Sequence, residues 1–343
     1  MAADKARPRV TIRTVATHAG VSRQTVSNAL NAPERMTPAT LAKVQAAIEE
    51  LNYRPDEAAR ALTSGRTRLI GIRVGQTAHN AAANPDPLLR AIVSSAARYA
   101  YRIIIFGAGS SDDEEIASYE DLLRGGAVDG ILISDTHVND ARPAWLRAHD
   151  VPFAAFGAPW GQPHGTHPWI DVDGATGMHS VVSHLVQLGR KRIAFLGWPS
   201  DGAGGDDRHR GWVDAMESFQ LGPDLQVRAP EDSIEAGKRA STDLLARFQP
   251  DAIVCASDLL AAGACQGIRD AGLLAGRDVS VTGYDDSPVA ILSQPQLTTL
   301  RQPLSVVADF LVDHIVLAAE PSDSLPPSGM VAPELVIRAS SGG

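Results

Sequence analysis

The chain has 343 residues, enough for about two to three domains, with 44% hydrophobic and 21% charged residues, the composition of a soluble globular protein. Its formal net charge of −9 argues, for the chain taken whole, against nucleic acid as a partner. No apolar run is long enough to cross a membrane, and the opening MAADKARPRVT lacks the apolar core of a secretory signal. A cytoplasmic location is expected, with Cys255 and Cys265 reduced and structural.

Two short helical patterns meet at a glycine between Thr11 and Asn31. Ile12, Val15, Ala16 and Ala19 fall at helical spacing, and Gly20 supplies the tight turn. Ser22 is a natural N-cap for a second helix, with its apolar side carried by Val26, Ala29 and Leu30. That helix leaves Arg23, Gln24, Thr25, Ser27 and Asn28 outside, all able to hydrogen-bond. A helix-turn-helix that reads DNA needs this division between packing residues and groove-facing donors and acceptors. Thr37 and Pro38 then open a third helix with Leu41, Val44, Ile48 and Leu51 as its buried stripe. Charge supports the same reading. Residues 1–68 hold 11 Lys and Arg against 6 Asp and Glu, a net of +5, so the remainder carries −14. Lys5, Arg7, Arg9, Arg13, Arg54, Arg60, Arg66 and Arg68 are candidates for phosphate contacts, which position a protein without reading sequence.

From Leu69 onward, short apolar runs alternate with amphipathic helices. Strands are expected at Leu69–Val74, Arg102–Phe106, Gly130–Ser134, Phe153–Phe156, Arg192–Leu196, Ala252–Cys255 and Val279–Gly283. A helix over Leu88–Tyr99 would bury Leu88, Leu89, Ile92, Val93 and Ala96. Near-continuous apolar strands separated by helices argue for parallel sheets covered on both faces. Their number calls for two doubly wound subdomains, with a ligand in the crevice at the strands' C-terminal ends.

The runs VTIRTVATHAGVSRQTVSNALN and ELNYRPDEAARALTSGRTRLIGI resemble the lactose-repressor (LacI/GalR) family of bacterial transcription regulators. HLVQLGRKRIAFLG, AIVCASDLLAAGA and VSVTGYDDSPVAILSQPQLTTLRQPL extend the resemblance from about residue 10 to about 340. It implies an α/β chain: an all-α helix-turn-helix head over 1–55, a hinge helix and linker over 56–68, and a periplasmic-binding-protein-like core over 69–343. The core would comprise an N-subdomain of about 69–171 plus 302–331 and a C-subdomain of about 172–301 plus the C-terminal segment. The chain would cross between them near Ile170–Asp173, Thr298–Gln302 and Pro326–Pro333. Partners implied are a pseudo-palindromic DNA operator, a small-molecule effector and a second copy of the chain. The tail VIRASSGG has no heptad pattern for a tetramerising coiled coil.

By resemblance, Arg23, Gln24 and Asn28 read base edges. Ser22, Thr25, Ser27, Arg13 and Arg54 position the head, with Ser22 chiefly a cap. Arginine suits guanine, and glutamine or asparagine suits adenine; many relatives carry Arg at the position of Asn28. DEAARAL matches the family hinge helix, too short to be stable alone, with Leu62 as the minor-groove wedge and Ala59 allowing two hinge helices to approach. In the cleft, Arg208 of RHRGW and Asp285 of GYDD match the family's facing pair, suited to paired sugar hydroxyls. Ser257 stands where many relatives have Asn, and Gly157 where several have Asp. Trp160, Trp198, Ser134, His79, Asp232 and Leu304 complete the candidate lining. The set favours a neutral saccharide or glycoside over a purine, and leaves open whether the ligand releases or strengthens DNA binding.

Other classes fit less well. GAGSSD lacks the third glycine of a dinucleotide fingerprint, and His164, His167, His179 and His184 form no zinc or triad pattern. No catalytic residue, metal or cofactor is expected. A sugar-binding transport protein would share the core architecture but would need a secretory signal and would not carry a basic helix-turn-helix.

Overall fold

The chain divides into two compact units, Met1–Thr67 and Arg68–Gly343. The computed structural model describes residues 10–53, 65–73, 86–109, 111–161, 167–198, 203–318 and 325–342. Arg54, Ala59, Leu62 and His79 therefore lie outside the described residues, as do Lys5, Arg7, Arg9 and Arg60.

In the first unit, α1 (Ile12–His18) opens on a capping box in which the Thr11 and Thr14 hydroxyls each accept the other's backbone N–H. The turn passes through Gly20 at φ +59°, a left-handed conformation that would cost a side-chain-bearing residue about 1–2 kcal/mol. Next, α2 (Arg23–Asn31) is capped by Ser22, whose Oγ accepts the Thr25 N–H at 3.0 Å. A 3₁₀ turn (Pro33–Arg35) leads to α3 (Pro38–Glu50), capped by Thr37. Helices this short are unstable in isolation, so a shared core must hold them. Val15, Ala16, Ala19, Val26, Val44 and Ala47 form it, with Leu30, Ile48, Leu51 and Tyr53 packed around.

The second unit begins β1 (Leu69–Arg73), α4 (Asp86–Arg98), β2 (Arg102–Phe106), α5 (Asp112–Arg124), β3 (Gly130–Ile133), α6 (Arg142–Ala148), β4 (Phe153–Phe156) and β5 (Trp169–Val172). It continues α7 (Gly174–Gln187), β6 (Ile193–Gly197), α8 (Ala203–Ser218), β7 (Gln226–Arg228), α9 (Ile234–Phe248), β8 (Ala252–Cys255), α10 (Asp258–Asp270) and β9 (Ser280–Thr282). Last come α11 (Pro288–Leu292), β10 (Thr299–Arg301), α12 (Leu304–Val316), β11 (Gly329–Val331) and β12 (Glu334–Val336).

Two parallel sheets result. The first has the order β11-β5-β4-β3-β1-β2 and the second β7-β6-β8-β9, while β10 and β12 pair antiparallel. The chain leaves the first sheet after β5 and returns with α12, which packs on α4 and β4. It adds β11 to the first sheet's edge, then places the Ser340 and Ser341 hydrogen bonds against β9. Strand order reverses beside β1 and β3 in the first sheet and beside β6 and β8 in the second. In doubly wound sheets such switch points open a crevice at the strands' C-terminal ends.

One expectation is corrected. Val93 is 48% exposed, so α4 buries Ile92 and Ala96 but turns Val93 outward. The edge strand β7, Gln-Val-Arg with an exposed-to-half-buried pattern, lacks an apolar run and, like β5, β10, β11 and β12, is not among the expected strands. Cys255 and Cys265 are free thiols, both buried. Among the described residues, no helix is long and apolar enough to cross a membrane.

Candidate functional site

In the first unit, α2 presents the polar row expected of it. Ser22, Arg23 and Gln24 are exposed, Thr25, Ser27 and Asn28 are half-buried, and Val26 is fully buried. Capping commits the Ser22 hydroxyl to the Thr25 N–H and to the Thr25 hydroxyl 2.8 Å away. Gln24 Nε2 donates to Asn28 Oδ1 at 3.0 Å, linking two side chains one turn apart. Arg13 is exposed on α1, and its carbonyl accepts the Thr17 hydroxyl. The exposed start of α2 combines unsatisfied backbone donors, a favourable dipole for anions and an arginine, which together suit a polyanion.

In the second unit, the ends of β6, β8 and β9 gather Arg208, Asp285, Ser257, Asp232 and Trp198. Arg208 projects from α8 and lies flat on the Tyr284 ring, its guanidinium carbon 3.6 Å from the ring centroid. One Nη donates to the Ala256 carbonyl at 2.6 Å; the other lies 3.8 Å from Asp285, within ion-pair range but beyond a hydrogen bond. Trp198 sits at the end of β6 with its ring 5.6 Å from the same guanidinium. Asp285 adopts φ +106°, fixed by its N–H donating to the Leu300 carbonyl and by Gln302 Nε2 donating to its carboxylate at 2.7 Å.

Burial pushes Asp285 up to about 6, opposed by Arg208 and reinforced by Asp232. Asp258 is pushed up to about 7 by burial and by Asp285, although it accepts from Thr299 Oγ1 at 2.6 Å and the Ser287 N–H at 2.7 Å. Desolvation alone would lower Arg208, but Tyr284, Asp285, Asp232 and Asp171 hold it charged. Ser257 is turned inward: it donates to Asp232 and, as N-cap of α10, accepts the Leu260 N–H at 3.1 Å. Its hydroxyl is thus committed within the protein.

The first sheet contributes separate pieces. Ser134 follows β3 and Trp160 follows β4, both half-buried, with Trp160 donating its N–H to the Ala158 carbonyl. Leu304 starts α12, half-buried, beside Gln302. Asp171 of β5 accepts the Ala158 and Val172 N–H groups and is raised by burial, its charge felt by Arg208.

Sequence reasoning missed a buried charge cluster beside these loops. Arg142, 1% exposed, donates to Asp140 at 2.9 and 2.7 Å, to Glu115 at 2.9 Å and to the Asp135 carbonyl at 3.1 Å. Arg73 reaches Glu115 at 2.9 Å and Asp135 at 3.5 Å, and Tyr119 donates to Glu115. Thr136 in the same loop donates to the Ala158 carbonyl at 3.0 Å, tying the post-β3 loop to the post-β4 loop. Asp112, His137 and Asp140 offer ligand atoms within 4.8 Å of one another. Asp112 already holds His137, and Asp140 already holds Arg142.

A family model described as bacterial regulatory proteins, lacI family, matches residues 11–56, and one for a periplasmic binding protein-like domain matches residues 182–341. The transcriptional regulator CelR of Thermobifida fusca is 32% identical over 318 residues, covering 90% of this chain and 93% of the relative. The crystal structure of the lac repressor dimer bound to operator and the anti-inducer ONPF matches with TM-score 0.85 at 28% identity, covering 97% of this chain and 99% of that one. A structure of the CelR–cellobiose complex matches with TM-score 0.71 at 28% identity, over 97% and 100% of the two chains.

Proposed function

Because the chain belongs to the lacI family of bacterial regulatory proteins, we propose that it is a cytoplasmic, homodimeric transcriptional repressor whose operator affinity is set by a neutral saccharide or glycoside. It is a DNA-binding regulator and not an enzyme. Arg23 and Gln24 at the exposed start of α2 read bases, Asn28 stands one turn on beside Gln24, and Arg13, Thr25 and Ser27 lie on phosphates. A homodimer supplies the second reader for a pseudo-palindrome, as in the similar lac repressor dimer bound to operator.

The observation that carries the effector reading is the Arg208–Asp285 pair at the second sheet's switch point. Its 3.8 Å separation is too long for a direct hydrogen bond, and a sugar hydroxyl can donate to the carboxylate while accepting from the guanidinium. Three carboxylates, Asp171, Asp232 and Asp285, act on that one guanidinium. Such an excess disfavours a phosphorylated or carboxylated ligand and leaves neutral polyols as the best fit. The similarity to a regulator solved with cellobiose supports the same class. A ligand can alter DNA affinity only through its differential affinity for two states of the protein.

The test is binding of the purified chain to a panel of pseudo-palindromic duplexes, with saccharides titrated at fixed salt. Release by a neutral sugar supports the proposal. Specific binding altered only by nucleobases would overturn the effector class, and absence of specific binding would overturn the regulator.

A further inference from the structure

The bond between Gln24 and Asn28 has a consequence for how α2 reads DNA. Gln24 is exposed on the first turn, and Asn28 lies one turn on along the same face. Gln24 Nε2 donates to Asn28 Oδ1 at 3.0 Å, which uses one of the two amide hydrogens of Gln24. What remains on Gln24 is an acceptor, Oε1, beside one free N–H. Adenine presents the complement in the major groove, an N6 donor beside the N7 acceptor. We propose that Asn28 acts as a positioning residue, holding the Gln24 amide in the orientation that matches adenine, rather than as an independent base reader. The proposal rests on the DNA-reading role given to α2 above.

The physical advantage is preorganisation. A free glutamine side chain is among the costlier ones to immobilise, about 1.5–2 kcal/mol on full burial, and a contact made by an already fixed group loses less on binding. The two side chains share one face of a helix at i and i+4, the spacing at which neighbours meet. The bond also sets direction. With Oδ1 of Asn28 as the acceptor, Gln24 keeps both lone pairs of its own carbonyl for the base; in the reverse arrangement one of them would already be used.

The test starts from duplexes selected by the full-length wild-type protein from randomised pseudo-palindromes. Dissociation constants are then measured with each of the four bases at every half-site position for wild type, Q24A, N28A, N28D and the double variant Q24A/N28A. Thermal melts confirm folding, which alanine favours at both helical positions. Wild type should prefer adenine at the position where Q24A relaxes selectivity. N28A should weaken that same preference about three- to tenfold, and the double variant should lose no more there than Q24A alone. N28D keeps an acceptor for Gln24, so it should retain the adenine preference while weakening binding to all sequences through its added charge.

Relaxation at a different base pair in N28A, additive losses in the double variant, or equal relaxation by N28D and N28A would each overturn the positioning role. If Q24A leaves every base preference intact while binding stays specific, Gln24 is not a reader and the inference fails alone. If no duplex is selected at all, the regulator reading fails with it.

Discussion

Replacing Arg208 by alanine should uncouple DNA binding from the effector. The guanidinium is held by the Tyr284 ring at 3.6 Å and the Ala256 carbonyl at 2.6 Å, so its position is fixed before any ligand arrives. A preset donor opposite Asp285 can make charge-assisted hydrogen bonds to ligand hydroxyls, each contributing about 1.5–3 kcal/mol. Losing even one such bond, with the ligand left beside three carboxylates and no counter-charge, raises the effector concentration for half-release by at least about tenfold, and losing two by about 10²- to 10⁴-fold. The substitution also removes the group that opposes the upward shift of the Asp285 carboxyl, so that shift increases, which limits the stability cost. The assay is release of a labelled operator duplex as saccharide is titrated, run for wild type and R208A at the same ionic strength. R208A should bind operator within a few-fold of wild type yet respond only at far higher sugar. A variant that is folded by circular dichroism and released at wild-type concentrations would remove Arg208 from the effector site and undo the argument built on its pairing with Asp285.

The buried cluster makes a stability prediction: Arg142→Met removes the main counter-charge of Glu115 and Asp140 and should cost about 3–5 kcal/mol in urea unfolding. Arg73, 2.9 Å from Glu115, keeps the loss toward the lower end, and a loss under 1 kcal/mol would mean the cluster is not holding the loops. Asp258 makes a pH prediction. Its folded value near 7 exceeds the ordinary carboxylate value of about 4, so the folded chain binds more protons than the unfolded chain between those limits. The associated stability is complete below about pH 4 and is lost as pH rises through 7; wild type should therefore fall relative to D258N by about 1–3 kcal/mol between pH 5 and 7.5. Parallel pH profiles for the two proteins would refute the assignment. Leu62→Ala, at the residue matching the family wedge, should weaken operator binding and reduce DNA bending while leaving sugar binding intact; equal bending by gel phasing would reject the wedge.

What was legible in the sequence was what short-range physics controls. Ser22 and Thr37 mark helix starts because a cap satisfies donors only three residues away, and both caps form as the local pattern requires. The central strands could be read because parallel strands buried on both faces must be apolar throughout, as Ala252–Cys255 is. The strand Gln226–Arg228 could not, because Val227 is the one apolar residue among its three. The same distinction separates the parts of the cleft. Arg208 and Asp285 were named through resemblance to a family, whereas the Tyr284 ring, Gln302 and Asp171 that hold them emerge only once three strand ends converge. Arg142 is the sharpest case. Charged side chains are almost never fully buried unless paired, so a lone arginine after Asp140 reads as surface. Its burial depends on Glu115, 27 residues away, and on a loop conformation set by Thr136 bonding to the post-β4 loop. A residue whose environment is made by partners that distant carries no local signature, whereas Arg208 and Asp285, the side chains proposed to touch the ligand, were recognisable by resemblance.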